Sequence, residues 1–255
     1  MKRILTALLL IPLTVWLVLF APEWAFLAAL AAVGGIAFYE FSQIVEQSGI
    51  PAPGWPAMLA GWAVMLAPQP GIVVVLVAIL AMLISLRARD LAKALPAAAA
   101  FLLGVIYIFG AWRCAAELRA IDANWLMFAL LLSWAGDTAA LYVGKAFGRH
   151  ALAPRVSPAK TWEGAAGSVA GGVIGGALYA HYWIRSAPLG QVLILAAAGN
   201  IAGQIGDLCE SAIKRGAGVK DSGNTLPGHG GWLDRIDSSL FSVPAVLALV
   251  KLLAR

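Results

Sequence analysis

Apolar runs follow one another along almost the whole chain, each broken by Pro, Gly or a charged residue. They fall near residues 4–20, 24–44, 55–68, 71–86, 95–111, 124–144, 164–183, 189–208 and 238–253. With 61% hydrophobic and only 12% charged residues, 255 residues carry more apolar surface than a soluble core could enclose. The predicted fold class is therefore all-α: a polytopic integral membrane protein with about nine transmembrane helices and the lipid bilayer as its solvent. The third and fourth runs are shorter than the roughly 20 residues a full crossing takes, and Pro68-Gln69-Pro70-Gly71 reads as the tight turn between them. The first twenty residues have the basic start and apolar run of a secretory leader. Ala21-Pro22-Glu23-Trp24 is a poor cleavage site, however, and the stretch reads as a retained first span.

Basic residues set the expected orientation. With the N-terminus cytoplasmic and an odd number of spans, Lys2, Arg3 and the basic residues of the 87–93, 145–163 and 209–237 segments lie inside. They account for thirteen of the eighteen Lys and Arg. Arg113, Arg119, Arg185, Lys251 and Arg255 lie outside, so the C-terminus is predicted outside. The basic residues form no stripe, which argues against nucleic acid as a partner despite the net charge of +5. This topology puts Cys114 and Cys209 on opposite faces, which rules out a disulfide between them and leaves each an apolar packing role. The glycine-rich run 167–176 reads as a close-packing helix face. The domain division expected is residues 1–123, with about five spans, and a catalytic membrane domain over 124–255 with cytoplasmic loops 145–163 and 209–237.

The densest charge lies between Gly206 and Ser239, which hold Asp207, Glu210, Lys214, Arg215, Lys220, Asp221, Asp234, Arg235 and Asp237, with His229 among them. Ionised groups beside a bilayer are costly, and a cluster of them marks a functional site. Asp207, Ser211 and Lys214 sit at i, i+4 and i+7, one face of a helix. A glycine-rich, proline-bearing turn from Gly216 to Gly231 breaks that helix. Asp234 and Asp237, three apart, share a face of the next short helix. Hard carboxylate oxygens, cations and backbone amides together suit Mg²⁺ and a polyphosphate.

A second polar segment runs from 134 to 164. Asp137 lies in the last half of the sixth span, and metal or substrate work is weighed there against pairing with a basic residue. Ser157, Lys160 and Thr161 offer donors to phosphate at the start of the seventh helix, whose N-terminus adds amides and a positive dipole end. The structural alternative is an N-cap with Glu163 in the first turn and Trp162 at the membrane interface. Arg149, His150 and Arg155 read as headgroup or orientation charges.

The run Ser211-x-x-Lys214-Arg215-x4-Lys220-Asp221-Ser222-Gly223-x2-Leu226-Pro227-x-His229-Gly230-Gly231-x2-Asp234-Arg235-x-Asp237 closely resembles the signature of the phosphatidate cytidylyltransferases, or CDP-diacylglycerol synthases. The Asp137 region and Ser157-Pro158-x-Lys160-Thr161-Trp162-Glu163-Gly164 are similar to that family's other recurring segments. The likeness covers residues 130–240 well, whereas the first five spans match only in being apolar. Trp232 stands where a smaller aliphatic residue is usual, and Ala159 where a second Lys is common.

The resemblance implies the reaction CTP + phosphatidate → CDP-diacylglycerol + pyrophosphate, with Mg²⁺, at the cytoplasmic face of the cell (inner) membrane. It also implies metal ligation by Asp221 and Asp234 or Asp237, with Asp207 and Asp137 behind them, against the alternative that these carboxylates pair with Lys214, Lys220 and Arg235. Four to five carboxylates leave room for a second cation such as K⁺. Lys214, Arg215, Lys220 and Arg235 would hold the triphosphate or the lipid headgroup. His229 would donate to the leaving pyrophosphate. Ser211, Ser157, Lys160, Thr161 and Glu163 would bind substrate. A homodimer is the expectation from the glycine-rich run and the family.

Three other readings compete. A sibling enzyme would use CTP on an archaeol or polyprenol lipid. An ion-coupled transporter would carry midplane charges in several helices, yet the first five spans hold hardly any beyond Glu40, near one end. A catalytically inactive scaffold would have lost the acidic residues kept here.

Overall fold

The computed structural model describes residues 2–88, 90–226 and 230–253, with side chains from residue 8 onward. The helices are α1 (Lys2–Leu19), α2 (Glu23–Gln47), α3 (Gly54–Leu66), α4 (Pro70–Ser85), α5 (Ala94–Gly104), α6 (Ala111–Ile121), α7 (Ala123–Phe147), α8 (Trp162–Trp183), α9 (Leu189–Gly216), α10 (Leu233–Ile236) and α11 (Ser239–Leu253). The protein is nearly all-α. Among the described residues its two strands form a small antiparallel hairpin, β1 (Ala151–Ala153) and β2 (Ser157–Thr161), in the segment read from sequence as a loop. Alternation over so few residues is too short to register as a strand pattern.

Among the described residues, five helical segments are long and apolar enough to cross a membrane: Glu23–Gln47, Leu91–Ile121, Ala123–Phe147, Leu189–Gly216 and Leu233–Leu253. The second of these runs ten residues beyond the expected end at 111, through a π-helical turn (Val105–Gly110) that joins α5 to α6. α3, with 13 residues, rises only about 20 Å, short of a hydrocarbon core of about 30 Å. Pro70 occupies the first turn of α4, where its missing N–H costs nothing.

The chain divides into two compact units, each interleaved in sequence. One comprises Met1–Ile11, Pro22–Arg113 and Ile213–Arg235. Its core is aromatic. Phe38, Phe41, Phe101 and Phe109 are all but fully buried, with Phe38 5.6 Å from Phe109 and 6.3 Å from Phe41 between ring centroids. Gly61 leaves the space that the Phe109 ring fills, and a Cβ there would overlap it. Arg113 turns back to donate to the carbonyls of Val64, Met65 and Ala67, closing the C-terminal end of α3, where carbonyls have no helical partner.

The other unit comprises Pro12–Ala21, Cys114–Ala212 and Ile236–Arg255. Its centre is the pairing of α7 with α8. Gly167 and Gly171 of α8 face Val143 and Ala139 of α7, and Gly175 lies against Ala135. This small-residue face is thus spent on a neighbour in the same chain, letting two backbones approach where lipid offers no hydrophobic drive. The adjoining face of α8 carries polar glue. Ser168 donates to Asn200 Oδ1 at 3.3 Å, and Gln204 donates to the same oxygen at 2.8 Å. Asn200 Nδ2 in turn donates to the Leu132 carbonyl at 3.0 Å, so α7, α8 and α9 are tied together.

A Gly171→Val substitution would drive its Cβ into Ala139 and to 3.2 Å from the Ala135 carbonyl, which is backbone and cannot swing aside. The expected loss is about 1–3 kcal/mol, read as a lowered midpoint in thermal unfolding of the detergent-purified protein. Gly190→Ala, with open space around it, should cost far less.

Candidate active site

Two groups of charged side chains stand out, one in each unit, and both draw on the long helix α9. In the unit built on α7 and α8, the hairpin and the start of α8 are held by side-chain bonds. Thr161 is the N-cap of α8, with extended backbone, and its hydroxyl accepts from the Gly164 amide at 3.1 Å. Glu163 reaches back over the hairpin base. It accepts from the amides of Arg149 and His150 at 3.1 and 3.2 Å, and lies 2.5 Å from His150 Nδ1. The imidazole hydrogen bond, followed by the Arg149 amide, pulls the Glu163 carboxyl down from 4.5 to about 2. Trp162 donates to the His150 carbonyl at 2.9 Å and completes the closure.

With its base closed, the hairpin presents Lys160, whose ammonium pairs with Asp207 Oδ2 of α9. Ser211 donates to the other carboxylate oxygen of Asp207 at 3.4 Å. Lys160 and Asp207 are 29% and 30% exposed, so the pair is open to a ligand rather than sealed in the core. This contact joins the two polar segments singled out in the sequence. Gly206, next to Asp207, lies against the Asp237 carbonyl and the Phe241 ring. A Cβ there would come within 2.8 Å of each, so α9 can approach the start of α11 only at a glycine. Asp237 itself is buried, with Oδ1 accepting from the Ser238 amide at 2.6 Å. Asp137 is exposed on α7, and Ser157 is half-buried at the start of β2.

The second group lies in the other unit. Lys214 Nζ is 2.5 Å from Asp234 Oδ1, with the two side chains 9% and 8% exposed. The other Asp234 oxygen accepts from the amides of Ser222 and Gly231, both at 2.9 Å. The turn leaving α9 is capped by Gly218 in the left-handed region, φ 74°, with the Val219 amide returning to the Lys214 carbonyl at 3.0 Å. Arg215 donates to the Val219 carbonyl at 2.8 Å. Leu226 and Gly230 form an isolated antiparallel bridge. Lys220, Asp221 and Arg235 are exposed. His229 lies outside the described residues.

Sequence reading passed over one residue that the structure places at the centre of this loop. Glu40 of α2 is 1% exposed, and its carboxylate accepts from the Ser222 and Thr225 hydroxyls and from the Trp232 and Leu233 amides. The available signal was an acidic residue inside an apolar run, Phe38-Tyr39-Glu40-Phe41. Among the described residues no three His, Cys, Asp or Glu side chains gather into a ready-made metal cage. Mg²⁺ does not require one, since it usually takes one or two carboxylates and completes its shell with water and substrate phosphate.

Apolar helices bearing exposed carboxylates and cations at their ends define a membrane-integral protein equipped to handle phosphate groups. The chain belongs to the cytidylyltransferase family, whose model matches residues 1–253. It is 32% identical to the phosphatidate cytidylyltransferase of Bacillus subtilis, over 98% of this chain and 97% of the relative. It is 36% identical to that of Brucella suis, over 97% and 91%. A shorter match, 47% of this chain, is 41% identical to the Haemophilus influenzae protein of the same name. The chain is accordingly an enzyme of the nucleotidyltransferase class.

The folded-state carboxyl of Glu163 is held below its unfolded value, so its support for the hairpin is complete above pH 4.5 and is lost as pH falls toward 2. Hydrogen-exchange protection of the Arg149 and His150 amides should follow that course. In a Glu163→Gln variant it should already be weakened at neutral pH.

Proposed function

We propose that this chain transfers the cytidylyl group of CTP to phosphatidate, giving CDP-diacylglycerol and pyrophosphate. The observation that carries this reading is the full-length likeness to relatives named for that activity, which extends through the charged segments described above. A phosphatidate oxygen attacks the α-phosphorus of CTP, a P–O bond forms, and the bond to the β-phosphate oxygen breaks to release pyrophosphate. The attacking oxygen is already anionic, so no strong base is called for. What the protein supplies is charge neutralisation and in-line placement.

Lys160 and Ser211, set around Asp207, are donors placed for phosphate oxygens, with Ser157 at the near end of the same strand as Lys160. The roles of Thr161 and Glu163 are to hold the hairpin that aims Lys160. In the 213–235 segment, Lys220, Arg215 and Arg235 are the cations for the triphosphate or headgroup. Lys214, bound to Asp234, fixes the loop's root. The donor chemistry suits Mg²⁺: in one unit Asp221 offers an exposed carboxylate, and in the other Asp137 does the same, with Asp207 and Asp237 as further hard-oxygen candidates. When bound with CTP, the ion neutralises phosphate oxygens as a Lewis acid. The reading further places nine crossings in the cytoplasmic (inner) membrane, N-terminus in and C-terminus out. Loops 145–163 and 209–237 of the 124–255 region then face the cytoplasm, where CTP is available.

Protein reconstituted in liposomes with CTP, Mg²⁺ and phosphatidate should form CDP-diacylglycerol, and chelation should stop it. Asp221→Asn should lower the rate at least about 100-fold. Product from a polyprenol or archaeol-type phosphate but not from phosphatidate would transfer the assignment to a sibling enzyme.

A further inference from the structure

We infer that Glu40 is a positioning residue for the cytidylyltransferase reaction: its buried carboxylate fixes residues 222–225 and 231–233 and with them the placement of the neighbouring charges Lys220, Asp221 and Arg235. The inference rests on the function proposed above.

Glu40 belongs to α2, some 180 residues before the loop it binds, in a helix otherwise occupied with core packing. Its two oxygens divide four donors evenly. Oε1 takes Trp232 N at 3.0 Å and the Thr225 hydroxyl, and Oε2 takes Leu233 N at 2.8 Å and the Ser222 hydroxyl at 3.0 Å. Two of these are backbone N–H groups, one on each oxygen, and neither can reverse its polarity. A carboxylate meets that demand. A carboxamide cannot, because its NH₂ would confront one amide whichever way it turned.

The loop is shaped to admit this group. A Cβ at Gly223 would lie 3.0 Å from Glu40 Oε1, and one at Gly231 would meet Glu40 Oε2 and the Ser222 hydroxyl. Ser222 then relays the contact. Its hydroxyl accepts from the Asp234 amide at 3.3 Å, while its own amide donates to the Asp234 carboxylate that holds Lys214. Glu40, Ser222, Asp234 and Lys214 form one connected chain, and exposed Lys220 and Asp221 sit immediately before its second link. Replacing the Glu40 carboxylate by a carboxamide leaves either the Trp232 or the Leu233 amide without an acceptor, and the cheapest relief is for the loop to move.

The experiment compares full-length wild type with Glu40→Gln, and with the Ser222→Ala/Thr225→Val pair, which leaves α2 intact should Glu40→Gln fold poorly. Two readouts are taken: hydrogen exchange across 220–235, with α7–α8 peptides as the reference, and separate KM values for CTP and phosphatidate. The expected result is faster exchange in 220–235 alone. It comes with a KM for CTP raised about tenfold or more while that for phosphatidate stays within about twofold, because the triphosphate carries the larger charge that the loop's cations must meet. The paired variant should show the same pattern, weaker. Wild-type exchange in the loop, an increase spread equally over the reference peptides, or KM values that are unchanged or rise together would overturn the inference. Should the wild type make no CDP-lipid at all, the proposed function fails, and exchange at 220–235 alone still decides whether Glu40 holds the loop.

Discussion

A carboxylate taken out of water must be met by donors, and in a chain this apolar most donors are already committed to helices. Glu40 and Asp234 resolve this by drawing on backbone amides that no helix or strand has claimed, in the loop and at the first residue of α10. Between them they accept from the amides of Ser222, Gly231, Trp232 and Leu233. The arrangement is reciprocal. The loop gives the carboxylates their hydrogen bonds, and the carboxylates give the loop a single shape that its glycines alone would not impose. Losing one partner of such a buried pair typically costs about 3–5 kcal/mol, far more than an exposed ion pair is worth. Lys214 and Asp234, both nearly sealed, belong to the first kind.

The other unit handles its charges differently. Lys160 and Asp207 are each about a third exposed, so their attraction is screened and contributes little to stability. Its effect is positional: it fixes where an ammonium and a carboxylate stand relative to each other. Two glycine devices make that possible. Along α8 they bring its backbone close to α7, and at Gly206 they let α9 approach the start of α11. The Thr161 cap and the Glu163 strap then determine how the hairpin leaves the membrane helices.

Much of this was legible in the residues themselves. Apolar runs bounded by Pro, Gly and charge located the helices to within a few residues in most cases, because burial in lipid imposes a length that composition betrays. The end of the fifth run was misjudged. Arg113, Glu117 and Arg119 look like the exit from a membrane, yet the helix continues to Ile121, with Arg113 and Arg119 turned onto backbone carbonyls. The hairpin at 151–161 was invisible because it is held by Glu163 and His150 across its base rather than by any strand pattern of its own. Thr161 and Glu163 were read both as substrate-binding residues and as helix-start residues, and the structure shows the second use directly. Glu40 was seen only as a stray charge near a helix end. Its partners lie some 180 residues away, and no local rule of spacing could have named them.

The proposed reaction turns on attack at the α-phosphorus of CTP. The most direct test follows the label: vesicle-reconstituted protein is given phosphatidate with CTP labelled at either the α- or the γ-phosphate. Cytidylyl transfer puts the α-label in the lipid product and releases the γ-label as pyrophosphate. Transfer of γ-label to the lipid would instead reveal a kinase and contradict it.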